Sequence, residues 1–282
     1  MIKIENTVTP SPEQWKATIR GTRNPMNSWG KSDSQFWPWH MRIGENDLDL
    51  MKRLVKAGTD HSKFMRFLPV VVDIIAPLYW FKEFDTYKVG TVANSCSTMH
   101  KIQDKEFTLD DFSYEHLDIR TKALLDETIK ALNDYRKLYI GYNPDDFEIK
   151  GCPSKKDIWW QMIQLLPSSY NQKRTVLLNY AVLRNIYHAR AGHKLDEWQQ
   201  FREWIETLPY SELITVDFAP KSNKDKIADL SEILKSDKLI REAFCGSVAS
   251  ALYEIPDGVD LSVQEVAERI TNRVVGDENG SN

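Results

Sequence analysis

One segment limits the fold of this 282-residue chain more than any other. From Leu68 to Phe81 it reads "LPVVVDIIAPLYWF", an apolar run broken by a single charge, Asp73. The run is too short to cross a bilayer, which takes about 20 apolar residues as a helix. Its first half is dense in Val and Ile, whose branched side chains suit a pleated surface. Phe67–Ile75 is therefore expected to be a strand. Ala76–Asp85 then reads as a helix, with Pro77 tolerated in its first turn because that N–H has no helical partner to lose.

Helical signals dominate the rest. In "SPEQWKATIRGTR", Ser11 is placed as an N-cap and Pro12 at the first helical position. Asp47–Ala57 is amphipathic and stops at Gly58. Asp118–Tyr139 repeats apolar residues at Leu125, Ile129, Leu132 and Tyr135, a helical period. Ser154–Leu166 reads as a helix capped by Ser154, and Gln172–Ala191 as another. Lys194–Leu208 carries Trp198, Phe201, Trp204 and Ile205 on one stripe. Ile2–Ile4 is expected to start an edge strand. Far along the chain, "SVQE" (Ser262–Glu265) matches a capping box. Together these predict an α+β fold in which helix predominates.

Composition excludes several classes. Net charge is −4, too small to imply a polyanion partner, so no nucleic acid is expected. The cysteines Cys96, Cys152 and Cys245 are few and far apart, which fits neither a disulfide framework nor a zinc pattern. His188 and His193 are five residues apart, the wrong spacing for two ligands on one helical face, so no metal site is expected. The start "MIKIENTVTPSPEQ" has no signal character. A cytoplasmic protein with no membrane segment is the expectation. There is no phosphate loop and no nucleophile elbow. Neither Ser95 nor Cys96 has an identifiable base partner. The tryptophans of "FWPWH" and "DIWWQM" could stack on bases or flavins, but core or interface is the more usual place for such rings.

Two features point to a ligand. "FKEFDTYKVGTVANSCSTMHK" (Phe81–Lys101) packs Gly, Thr, Ala, Asn, Ser and Cys into Gly90–Thr98. Such a loop offers hydroxyl and backbone N–H donors, and Gly90 permits close approach. Within Gln172–Ala191, residues Asn179, Leu183, Ile186 and Arg190 are 4, 3 and 4 apart and share one face of the expected helix. Lys173 and Arg174 would stand at its start, where the dipole disfavours cations unless an anion is near. An amphipathic helix whose arginine snorkels to solvent explains the same residues.

Several of these segments together resemble the flavin-dependent thymidylate synthases. "VKAGTDHSKF" stands where that family has a helix end and its first His, here His61. "PVVVDIIAPLYWF" stands for the strand and helix that follow. Thr86-Tyr87-Lys88 occupies the place of the family's Arg-His-Arg triplet, and Glu83 a place where Gln is frequent. "LPSSYNQKRTVLLNYAVLRNIYHARAGHKLDEWQQFREWI" supplies a Leu-Pro, a basic residue at Lys173 or Arg174, and Asn179, Asn185 and Arg190 at family spacing. The resemblance covers residues 8–22, 45–101 and, best, 166–206.

The resemblance implies a small central sheet flanked by many helices. It also implies reductive one-carbon transfer from methylenetetrahydrofolate to the pyrimidine of dUMP, with FAD and NADPH. By residue, it implies Arg190 as the catalytic group that polarises the pyrimidine. Lys173, Arg174, Glu83, Ser95, Cys96 and Ser97 would bind substrate. His61, Thr86, Tyr87, Lys88, Asn179 and Asn185 would bind flavin. Family members are homotetramers with sites at subunit interfaces. Residues 1–217 would form this domain and 218–282 a helical extension packed on it, with a disordered tail near 276–282. Two alternatives stay open: a pyrimidine-nucleotide-binding protein without catalysis on the same fold, acting as sensor or sponge, and a helical interaction protein.

Overall fold

A computed structural model describes residues 2–143 and 153–217 of the chain. Its elements run, in order, β1 (Lys3–Val8), α1 (Pro12–Arg23), β2 (Gln35–Phe36), β3 (Met41–Arg42), α2 (Glu45–Lys56), β4 (Pro69–Pro77), α3 (Leu78–Phe84), β5 (Val92–Ser95), α4 (Thr98–Lys101), α5 (Ile119–Ile140), α6 (Lys155–Leu165), β6 (Asn171–Asn179), α7 (Tyr180–Ala189), α8 (Asp196–Glu206) and α9 (Glu212–Thr215). The expected capping box at Ser262–Glu265 and the extension over 218–282 lie outside the described residues.

The main sheet has the order β1-β4-β6-β5, with every neighbouring pair antiparallel. The apolar run sits at its centre. Val70, Val72, Ile74 and Ala76 point into the core and are fully buried. Asp73 falls on the alternate face, which explains how a charge can interrupt the run without breaking the strand. There it accepts hydrogen bonds from Thr175 Oγ1 (2.6 Å) and Asn6 Nδ2 (2.9 Å), with Lys173 Nζ 3.0 Å away. Asn6 adopts a left-handed φ of 52°, next to a register shift between Glu5 and Val8.

The helices cover the other face. Trp15 of α1 meets Tyr180 and Tyr210 edge-on at 5.6 and 5.2 Å. Trp80, Phe81 and Phe84 of α3 pack with Trp198 and Phe201 of α8, the two indole rings 4.7 Å apart. Removing such a ring to Ala costs about 3–5 kcal/mol. A second cluster joins Leu125, Ile129 and Leu132 of α5 to Met162 of α6, around Phe107 and Phe112. Ser11 and Ser154 cap α1 and α6 as expected, Asp118 caps α5, and Gly58 takes a φ of +112° just beyond α2. Among the described residues, no helix is long and apolar enough to cross a membrane.

Two expectations are corrected. Gln172–Ala191 is not one helix: residues Asn171–Asn179 form β6, and only Tyr180–Ala189 is helical. β6 pairs along its whole length with β4 and also holds β5, so the sheet's hydrogen bonds override helix propensity there. Lys173 and Arg174 are therefore strand residues, not helix-start residues, while Asn179 is the N-cap of α7 and Arg190 its C-cap. Pro77 likewise ends β4 and caps α3 instead of lying in its first turn.

Candidate active site

Two arginines clasp the C-terminal end of α3. Arg174 reaches from β6: its Nη1 donates to Asp85 Oδ1 (2.7 Å), its Nε to Gln172 Oε1 (2.9 Å), and its guanidinium lies 3.9 Å over the Phe81 ring. Arg190 comes from the end of α7. Its Nη1 donates to Glu83 Oε2 (2.8 Å), its Nε to the Tyr87 hydroxyl (2.9 Å), and its face lies 4.5 Å from the Trp198 ring. Phe81 and Asp85 are four residues apart, as are Glu83 and Tyr87. The two pairs are two residues out of step, which puts them on roughly opposite sides of the helix axis. Both cations meet the helix at its negative end, where the macrodipole favours them.

Glu83 is the hub. Besides Arg190, its Oε2 accepts from the Trp198 indole N–H at 2.9 Å and stands 3.2 Å from His193 Nε2. Leu195 N–H donates to His193 Nδ1 at 3.1 Å. Nδ1 must then be unprotonated, so the ring proton sits on Nε2, the nitrogen facing Glu83.

The loop after α3 runs beside the start of α7. Gly90 has a φ of +81°, and a Cβ there would lie 3.0 Å from Asn179 Nδ2 and 3.2 Å from Val182 Cγ2. Only glycine fits both demands comfortably. Asn179 Oδ1 accepts the Val182 N–H at 3.0 Å and so caps α7. The donor-rich stretch expected as a loop becomes in part the edge strand β5. Ser95 pairs with Arg174 there, and the Cys96 N–H donates to Lys173 O at 2.9 Å. The Ser97 hydroxyl accepts the His100 N–H at 3.1 Å, capping α4. Thr86 Oγ1 donates to Glu83 O at 2.7 Å, and Lys88 is exposed.

A cavity of about 650 Å³ opens between the 59–66 segment and α7. Thr59, Ser62, Lys63, Met65, Arg66, Ala181, Arg184, Asn185, His188 and Ala189 line it, and none of these is acidic. Arg184 is buried and donates from Nη1 to Ile214 O (2.8 Å) and Val216 O. Burial pulls its guanidinium below the usual arginine range. Burial, then the Arg184 charge, also lowers His188, which keeps its ring neutral near pH 7.

The structure thus brings Glu83, Tyr87 and Arg190 into direct contact. It gathers Arg174, Ser95 and Cys96 at the edge of the same helix end. Asn185 lines the cavity, with His61 exposed on the segment that forms its other wall. Lys173 stands apart on the opposite face of the sheet, bound to Asp73. Trp198, His193 and Asp85, which touch these groups, carried no local signal. Trp198 and His193 lie more than a hundred residues from Glu83, and Asp85 lies 89 from Arg174; only Arg190 is near Trp198 and His193 in sequence.

No protein-family model matches the chain, and no curated protein matches it. Solved structures do. A crystal structure of the flavin-dependent thymidylate synthase ThyX from Helicobacter pylori, complexed with FAD and dUMP, aligns with a TM-score of 0.50 at 16% identity. It covers 76% of this chain and 97% of that one. A second ThyX structure from the same organism, also with FAD and dUMP, aligns at 0.50 and 15% identity over 76% and 99% of the two chains. The described residues therefore have the mixed helix-and-sheet fold of these neighbours.

Proposed function

We propose that the chain is a divergent thymidylate-synthase-type enzyme that binds a pyrimidine nucleotide at Arg190 and a flavin in the cavity beside α7. The reaction is reductive one-carbon transfer from methylenetetrahydrofolate to the pyrimidine of dUMP, with NADPH as the reductant. One observation carries it: Arg190 is held on three sides, by Glu83, Tyr87 and Trp198, one residue beyond Ala189 of the cavity wall.

The cavity's residues fit a flavin nucleotide. Its volume lies inside the roughly 300–1,000 Å³ range of small-molecule sites. Lys63 and Arg66 supply positive charge for phosphates, Met65 and Ala181 an apolar surface for the ring, and Asn185 a donor and an acceptor for its polar edge. A flavin bound there supplies the hydride chemistry. The protein's own part is position and charge. Arg190 stabilises the negative charge that develops on the pyrimidine, and the low-dielectric ring of Trp198 behind it strengthens that effect. Arg174, with Ser95 beside it, meets the nucleotide phosphate in this reading by giving up Asp85 for it. A homotetramer in the cytoplasm completes the proposal. In its support, Val8, Leu177 and Val92, on the open face of the sheet, are exposed apolar residues joined by register through Val71.

A second function is favoured by one observation: Arg190, Arg174 and Lys173 each already have a carboxylate partner, Glu83, Asp85 and Asp73. Such pairing suits a nucleotide-binding protein without catalysis. The absorbance spectrum of the purified protein with added FAD separates the two. A bound-flavin spectrum supports the enzyme. Stabilisation by dUMP without flavin binding supports the binder. Failure of both ligands to stabilise the fold would remove both.

A further inference from the structure

Arg190 has three kinds of donor, and two are spoken for. Nε is used by Tyr87 and Nη1 by Glu83. Nη2 has no hydrogen-bond partner among the described residues. The side chain that holds this arrangement is Trp198, fully buried, which touches both members of the ion pair. Its ring lies under the guanidinium at 4.5 Å, and its N–H holds Glu83 Oε2 at 2.9 Å. The neighbouring Trp80, stacked in the same aromatic cluster, has a buried N–H with no hydrogen-bond partner among the described residues. Packing in this cluster therefore does not oblige an indole to find a carboxylate.

We infer that Trp198 is a positioning residue that fixes the Arg190–Glu83 pair so that Nη2, which carries two unengaged N–H groups, faces the ligand. The inference rests on the function proposed above and deepens it.

The test is dUMP affinity by calorimetry in wild type, W198F, F201L, R190A and the double variant W198F/R190A. W198F keeps a ring beneath Arg190 but removes the donor to Glu83, together with some buried volume. F201L creates a cavity in the same cluster without touching the pair. W198F is expected to weaken dUMP about tenfold. F201L should lower the melting temperature and leave affinity alone, and W198F should add nothing once Arg190 is gone. Equal loss in W198F and F201L, or no loss in W198F, overturns the inference. Should W198F not fold, E83A at the half-exposed end of the pair tests the same point: unchanged dUMP affinity there overturns it. If wild type binds no dUMP, or R190A binds it as well as wild type, the proposed function itself has failed and this inference falls with it.

Discussion

Lys173 and Arg174 are consecutive in β6 and point to opposite faces of the sheet. Lys173 Nζ lies 3.0 Å from Asp73 Oδ2, and Arg174 Nη1 lies 2.7 Å from Asp85 Oδ1. Only Arg174 shares a side with Ser95 and the end of α3, so only Arg174 can serve a phosphate bound there. R174A is expected to weaken dUMP about tenfold or more, the loss of a charge-assisted contact, while K173A binds dUMP like wild type. Calorimetric titration of the two variants decides it. A loss in K173A equal to that in R174A would contradict the placement.

Asp73 joins three strands, and its carboxyl is held down to about 2 by hydrogen bonds from Thr175, Asn6 and Lys173. The folded value lies below the unfolded one, so its contribution to stability is complete above about pH 4 and is lost as pH falls towards 2. D73N cannot titrate. The stability difference between wild type and D73N, from urea melts at several pH values, should shrink over that interval. A difference that stays constant with pH would refute the role of the charge.

Legibility in the sequence followed how local the cause was. Ser11 and Ser154 cap their helices through side chains that reach three residues on, and both could be read directly. The strand Pro69–Pro77 was legible because Val and Ile crowd it. β6 was not, because its open face alternates Lys173, Thr175 and Leu177, and the apolar pair Leu177-Leu178 runs on into a true helix. Its identity comes from β4, about a hundred residues away. In the site, the spacing of Asn179 to Arg190 survived as the two ends of α7 instead of one helical face. Glu83 could be picked by its position, but not its partners Trp198 and His193, which the fold alone brings to it.

The cavity makes an electrostatic prediction. Lys63 and Arg66 are exposed at its wall, so reversing them should leave stability within about 0.5 kcal/mol. The double variant K63E/R66E is expected to lower FAD affinity at least tenfold, read by quenching of flavin fluorescence. Added salt should weaken wild-type binding and have less effect on the variant. Equal FAD affinity in both proteins would place the flavin outside this cavity.

Asn179 and Gly90 test whether the helix start and the loop are one unit. Asn179 caps α7 with Oδ1 while its Nδ2 lies where Gly90 leaves no room for a Cβ. N179A should cost about 1 kcal/mol, the usual loss of an N-cap, and N179D, which keeps the capping oxygen, much less. G90A adds a methyl group at a φ of +81° and 3.0 Å from Asn179 Nδ2, so it should cost about 1–2 kcal/mol in wild type. In the N179A background part of that penalty disappears because the amide is no longer in the way. Urea unfolding of the four proteins of the cycle measures this coupling. Additive losses would mean that the loop and the helix start do not meet as described.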